Sequence, residues 1–436
     1  MRVWRILKVI FGVFVLLSAF VAVWWLNMEG IFMKDLVTTK DRIADSPNFV
    51  NGVAKNYEAT EVMTDSREMS ESFSKDMGES RDSRESSGES KRESKFKAIL
   101  ALLKTPNITI PSVKSDLSAM SGQDSFVWFG HSSYMLSLGG KTLLIDPILG
   151  DNAAPLPFII APFKGADIYA PSDIPPVDFL IITHNHYDHL SKKTLKALLG
   201  RVERAIVPLG VGKYLKAWGL DEGKIVELDW DEVADFGAFR FHCLTARHFS
   251  GRGLTDGNKS LWASYLLEYS ADLGRESSGD FSGDSRHESK NPRESKKIFF
   301  GGDSGYGAHF AEFGKKFGAI DLAFLENGQY NTQWAKIHAF PHQTLQIAQD
   351  LNAKAIMSVH NAKFKLSTHE WNTPLERIYT LYTQGKYDFA LWTPQIGEIV
   401  PLWSDKKANF HAWWREIGES KATNSANHRK YGSKND

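Results

Sequence analysis

The chain has 436 residues, with 52 lysines and arginines against 52 aspartates and glutamates, so its formal net charge at pH 7 is zero. That length is enough to bury a large single-domain core, and the neutral balance offers no basic stripe for nucleic acid, which excludes that partner class. The single cysteine, Cys243, excludes an intrachain disulfide and any cysteine-based metal cluster.

The first feature in chain order is an apolar run from Val9 to Leu26, preceded by Arg2, Arg5 and Lys8 and closed by Trp24, Trp25 and Leu26. It is long enough for a membrane helix, long for a signal-peptide core, and lacks a small-x-small cleavage site. The two tryptophans stand where an interfacial aromatic belt would be. The expectation is an uncleaved anchor over residues 1–30, with the body on the extracytoplasmic (periplasmic) side. Lys34, Lys40 and Arg42 follow the run, so the charge bias behind that orientation is small.

Residues 31–95 read as a linker. From Thr64 to Lys95 the chain is Ser, Glu, Arg and Lys with almost no apolar content, a signature of disorder. Its Arg84-Glu85-Ser86-Ser87-Gly88 recurs as Arg275-Glu276-Ser277-Ser278-Gly279 in a second such insertion, at about 271–296. That insertion falls between two strand patterns and should lengthen a surface hairpin. The folded body is expected over 96–405, followed by a tail over 406–436.

Within the body, strands are predicted at Phe126–Phe129, Ser133–Leu138 and Lys141–Ile145, the last two flanking the hairpin signal Gly139-Gly140. The apolar loop Ala153–Gly165 would either touch lipid or tuck into the core. Val177–Ile182 is a buried-strand pattern, and Ser191 is placed to cap a helix running to Leu199. Strands follow at Ala205–Pro208, Ile225–Leu228, Phe239–Leu244, Leu261–Tyr269, Ile298–Phe300, Leu322–Leu325, Ala355–Val359 and Phe389–Trp392. Helices are predicted at Val211–Trp218, Gly307–Phe317, His342–Leu351 and Pro374–Gln384. Antiparallel strands early and mixed β/α later imply an α/β fold of two sheets sandwiched between helices.

The strand Val177–Ile182 runs into His184-Asn185-His186-Tyr187-Asp188-His189. Three imidazoles and a carboxylate packed this closely cannot share one face of a strand or helix, and they suit a loop wrapped around a zinc-like cation. Three more apolar strands each deliver a potential ligand beyond their carboxyl ends: His248 after Phe239–Leu244, Asp303 after Ile298–Phe300, and His360 after Ala355–Val359. Each of these alone has a plain surface or core role as its alternative. Converged on one edge, the seven supply five imidazoles and two carboxylates, enough for two ions with one bridging carboxylate. His242 reads as structural, and His309, His342, His369 and His411 as surface or helix residues. His131 is a candidate neighbour of the ligands. His338, outside the seven, is the candidate substrate-facing acid or hydrogen-bond donor.

With these residues in place the chain resembles the metallo-β-lactamase superfamily. Within it the chain resembles the N-acylphosphatidylethanolamine-hydrolysing phospholipase D branch and its bacterial relatives. The resemblance is carried by Trp128-Phe129-Gly130-His131-Ser132-Ser133, Leu144-Ile145-Asp146-Pro147, Ile182 to Leu190, Ala246 to Gly253, Leu261 to Ser264, Phe300 to Tyr306, and the pair His338 and His360. It implies the αββα sandwich of that superfamily and two zinc ions, other divalent metals being possible. His184, His186 and His248 would hold the first ion, Asp188, His189 and His360 the second, and Asp303 would bridge. It implies a metal-bridged hydroxide as nucleophile, with Asp188, Asp303 and His338 as catalytic residues. The implied activity is that of a membrane-anchored phosphodiesterase releasing phosphatidic acid from a phospholipid. A lactonase or small phosphoester hydrolase is the alternative enzyme, and a metal-stabilised envelope scaffold the non-catalytic one. The N-terminal run, the two insertions and the sequence around Ala362, where Trp-Gly-Thr is more usual, depart from the pattern and leave the substrate open.

Overall fold

The structure, a computed structural model, describes residues 4, 8, 11–18, 21, 36, 39–63, 107–155, 159–253, 255–270, 295–403 and 411–416. After a short helix α1 (Thr39–Asp45) and a small hairpin, β1 (Phe49–Val50) with β2 (Val53–Ala54), two seven-stranded sheets follow. The first is built from β3 (Ser125–Trp128), β4 (Tyr134–Leu138), β5 (Lys141–Ile145), β6 (Val177–Ile181), β7 (Val202–Pro208) and β8 (Ile225–Leu228), with β16 (Ile399–Pro401) added beside β3. The second runs from β9 (Val233–Phe236) through β10 (Phe239–Leu244), β11 (Ser264–Tyr269), β12 (Lys296–Phe300), β13 (Leu322–Glu326) and β14 (Ala355–Val359) to β15 (Ala390–Trp392). Both sheets are mixed: β3–β4–β5 and β9–β10–β11–β12 pair antiparallel, while β5–β6–β7–β8 and β12–β13–β14–β15 pair parallel.

Period-two alternation decides which core each strand residue joins. In β3 and β6, Phe126, Trp128, Phe179 and Ile181 point into the core between the sheets. Their neighbours Val127 and Leu180 point outward beneath α2 (Lys192–Leu198) and α3 (Gly212–Trp218). The second sheet repeats the division: Ile298 and Phe300 of β12 face inward, while Phe299 packs with Phe310, Phe313, Leu345 and Ile378 of α4 (His309–Phe317), α5 (Pro341–Asp350) and α6 (Thr373–Gln384). Strands buried on both faces read as unbroken apolar runs, and these are the ones the sequence made conspicuous. The result is the αββα sandwich expected.

Gly139 and Gly140 both take positive φ, 55° and 73°, and close the β4–β5 hairpin with Leu138 paired to Lys141. Tyr269 pairs with Lys296, so the second insertion joins the paired ends of β11 and β12; residues 271–294 lie outside the described residues. Four strands escaped the sequence reading: β1 and β2, in the stretch read as linker, and the edge strands β9 and β16, of four and three residues. Such short segments are only partly buried and carry too few residues to establish a period. In the apolar loop, Ala153 and Phe163 are buried and Ile159 and Ile160 half-buried; Phe158 lies outside the described residues.

Two further points differ from expectation. Of the Val9–Leu26 run only residues 11–18 and 21 are described; they are helical, and no described helix is long and apolar enough to cross a membrane. Residues 39–63, assigned by composition to the linker, instead strap the body. Thr39 Oγ1 donates to Glu227 Oε2 at 2.5 Å, Arg42 donates to the Glu227 carbonyl at 2.7 Å, and Asn48 Nδ2 donates to Asp229 Oδ1 at 2.7 Å. Burial pushes the Glu227 carboxyl upward, against the donors Thr39, Gly212 and Gly210. Side-chain hydrogen bonds to buried acids leave no trace in composition. A chain beginning at residue 64 loses one of those donors and should be destabilised by about 1–3 kcal/mol. Chemical denaturation of the two lengths checks this, and equal midpoints would show that the strap bears no stability.

Candidate metal centre

The carboxyl ends of β6, β10, β12 and β14 open on one edge of the sandwich, and the seven predicted ligands meet there. They fall into two groups. In one, His186 Nδ1 approaches His184 Nε2 at 2.8 Å and His248 Nε2 at 3.1 Å. In the other, His189 Nε2 stands 3.4 Å from Asp188 Oδ2, and His360 Nε2 stands 3.5 Å from the same oxygen. Asp303 faces both groups. Its Oδ1 is 3.1 Å from His189 Nε2, and its Oδ2 is 3.1 Å from His360 Nε2, 3.9 Å from His184 Nε2 and 3.8 Å from His248 Nε2. Donors around a tetrahedral ion with bonds of about 2.0–2.1 Å lie roughly 3.3–3.4 Å apart. His189 Nε2, His360 Nε2 and Asp303 Oδ1 are buried without a hydrogen-bond partner, the condition of atoms waiting for a cation. The donor set therefore fits a metal.

Surrounding groups aim these donors. Asp146 Oδ2 lies 2.8 Å from His189 Nδ1, and Asp146 is itself held by Thr183 through its N–H at 2.8 Å and its Oγ1 at 2.6 Å. The carbonyls of Ile337 and Gly328 face the Nδ1 atoms of His248 and His360 at 3.1 and 3.3 Å, leaving each Nε2 for the centre. Asn56 takes the backbone of His248 from both sides, Nδ2 donating to its carbonyl at 2.8 Å and Oδ1 accepting its N–H at 3.2 Å. The buried guanidinium of Arg252 donates to the carbonyls of Asn185 and Leu190, 2.9 and 2.7 Å away, and so fixes the ends of the histidine loop.

His131 is buried beside the centre, its Nε2 2.8 Å from Asp188 Oδ2. Its backbone and that of His360 lock together, His360 N donating to His131 O at 2.9 Å and His131 N to Asn361 O at 2.8 Å. His131, Asp146 and His360 all take positive φ, 54°, 41° and 65°. Such strain costs about 1–3 kcal/mol per residue and gathers at functional sites. Gly302, at φ 59°, admits Asp303: a Cβ there would meet the Ala263 carbonyl and Thr183 at 2.9 Å.

His338 stands next to the seven, its ring centroid 5.2 Å from those of both His248 and His360. Its Nδ1 is 3.0 Å from Glu326 Oε2. Glu326, the last residue of β13, was missed by the sequence reading; an acid ending an all-apolar strand was the available signal. His242 pairs across the sheet with Glu268 at 3.0 Å, away from the centre.

Burial drives His186 and His248 down to about 3 and His184 well below the usual range, so these imidazoles are neutral. Burial opposes ionisation of Asp188 and Asp303 as well, yet the charge of His189 outweighs it and holds both carboxyls far down. Burial likewise opposes charging His189 and His360. Asp303 foremost overcomes it, pushing His360 up to about 10 and His189 well above its ordinary value. In the metal-free protein two protons thus stand where a cation would.

The β-lactamase superfamily domain profile matches residues 141–287 and 290–361, and the chain belongs to that superfamily. Its relatives include N-acylphosphatidylethanolamine-hydrolysing phospholipases D. One such phospholipase D from Caenorhabditis elegans is 27% identical over 63% of this chain and 72% of its own length. An uncharacterized protein of Mycobacterium tuberculosis is 35% identical over 58% of this chain, which spans 62% of that relative. The outer membrane protein RomA of Klebsiella pneumoniae is 43% identical over 27% of this chain and 71% of its own length.

Zinc uptake at neutral pH should release the protons of His189 and His360. Calorimetry in buffers of different ionisation enthalpy reads this, and uptake without proton release would overturn the charge assignment. Asp146→Asn, which keeps the shape and removes the charge behind His189, should weaken metal affinity about 10–100-fold in a chelator competition.

Proposed function

We propose that the protein is a metal-dependent phosphodiesterase that hydrolyses N-acylphosphatidylethanolamine-like phospholipids to phosphatidic acid and the free head-group alcohol. The observation that carries this reading is the pair of donor groups sharing Asp303, with His338 beside them and outside either group. His184, His186 and His248 would hold one zinc ion and Asp188, His189 and His360 a second. When bound, such ions supply positive charge that makes water nucleophilic near neutral pH and neutralises the phosphoryl oxygens.

The chain's own groups supply the rest. Burial drives His338 down to about 4, and burial together with Asp303 raises Glu326 well above the carboxylate range. Glu326 Oε1 accepts the N–H of Ala339, so its Oε2 is the oxygen that shares a proton with His338 Nδ1. With Glu326 protonated, its Oε2–H donates to His338 Nδ1, and the neutral ring then carries its own proton on Nε2 and presents a donor to a phosphoryl or leaving-group oxygen. Asp188, held by His131, and Asp303 keep the negative charge that the metal requires.

A lipid substrate is supported by the C. elegans relative's name and by the apolar side chains exposed on the helix at 11–18, Phe11, Phe14, Leu16 and Leu17 among them. Membrane anchoring through this segment, with the body extracytoplasmic, is part of the proposal.

The full chain, loaded with zinc, should convert N-acylphosphatidylethanolamine to phosphatidic acid, followed by mass spectrometry, and Asp188→Asn should abolish the product. His338→Ala should lower kcat about 10²–10⁴-fold with metal content unchanged. Full metal loading without phosphatidic acid would reject the lipid and turn the search to lactones and small phosphodiesters.

A further inference from the structure

A second concave site opens beside the histidine loop. Its volume is about 430 Å³, in the range of small-molecule sites, and among the described residues its walls carry Lys192, Lys193, Lys196 and Arg252 against the one carboxylate of Asp151, with Tyr187 on the same wall as Arg252. In a chain whose charges balance overall, four cations to one acid is a local asymmetry. The acid is already engaged, since Asp151 Oδ2 accepts a hydrogen bond from Ser191 Oγ at 2.5 Å.

The wall nearest the metal centre is built and rigid. Arg252 is 8% exposed, lies 3.9 Å from the Tyr187 ring centroid, and is pinned by the loop carbonyls it serves. Tyr187 Oη closes the wall by donating to the Arg252 carbonyl at 3.1 Å. The three lysines come from the start of α2, where Lys193 Nζ donates to the Gly150 carbonyl, and they bring point charges to the same cavity as that fixed cation.

We infer that this cavity is a phosphate-binding site, distinct from the metal donors, which holds a phosphate mono- or diester through Lys192, Lys193, Lys196 and Arg252. A carboxylate ligand would be satisfied by one or two of these cations. A phosphate, with its higher charge density and several acceptor oxygens, uses them all. Tyr187 stands between the ligands His186 and Asp188, so a phosphate held here is a neighbour of the metal centre. The phosphate has two sources, an anionic lipid head group at a membrane surface or a soluble phosphate compound. The inference does not depend on which ester is hydrolysed.

Lysine acylation followed by peptide mass spectrometry tests it on the metal-free full chain, where each lysine reports separately. Inorganic phosphate should slow labelling of Lys192, Lys193 and Lys196 several-fold, while chloride at equal ionic strength should not, and distant lysines such as Lys224 should be unaffected. The double substitution Lys193→Glu and Lys196→Glu should abolish protection of Lys192. Protection also by vesicles containing phosphatidylglycerol, and not by phosphatidylcholine alone, would assign the lipid source. Protection by inorganic phosphate only would assign the soluble one. No protection, or equal slowing of every lysine, overturns the inference. Hydrolysis is not read in this experiment, so its result stands apart from the substrate assignment.

Discussion

Asp188 and Asp303 are buried carboxylates, and an isolated charge in a protein interior is not tolerated. Everything at this edge of the sandwich answers that constraint. No lysine or arginine approaches either acid within ion-pair distance among the described residues; the cations available are imidazoles. Imidazole is the one side chain that counters a carboxylate when protonated and ligates a metal when not. The same arrangement is therefore stable with protons and competent with a cation. A lysine in place of His189 or His360 would neutralise the acids permanently and close the site.

The fold meets the constraint by bringing the carboxyl ends of strands from two sheets to one edge. The ligands on β6 and β14 belong to different sheets, so nothing within either sheet fixes their separation. The backbone exchange between His131 and His360–Asn361 does, stitching the turn after β3 to the turn after β14. His131 then reaches Asp188 through its ring. One residue joins the two sheets and two ligands of one group, which is why a strained backbone is retained there. On the other side Asn56, from the strap, takes His248 by its backbone. The first donor group thus depends on a segment more than a hundred residues away in sequence.

The architecture and the meeting of the seven predicted ligands at one edge were legible in the sequence for a shared reason. A strand buried on both faces is a continuous apolar run, and a polar residue directly after such a run stands at a sheet edge. Residues whose role is set by distant partners were not legible. Glu326 ends a run just as Asp303 follows one, but its role appears only when β13 is seen to lie between β12 and β14, which puts it under His338 and His360. Asn56 and Thr39 sit in a polar stretch that composition assigns to a linker, and their partners are nearly two hundred residues downstream.

The departure after the last ligand shows how the same physics absorbs a local mismatch. The glycine of the more usual Trp-Gly-Thr falls on Ala362, whose φ is 61°, a conformation that glycine adopts freely and alanine does not. The next residue supplies an anchor. Lys363 is fully buried, its Nζ 3.0 Å from Asp167 Oδ1 and donating to the carbonyls of Ile148 and Phe129, 2.7 and 3.2 Å away. Burial pulls its ammonium downward, and Asp167 acts against that. The change therefore acts inward. It ties the turn after β14 to the turns after β3 and β5, the turns that carry His131 and Asp146.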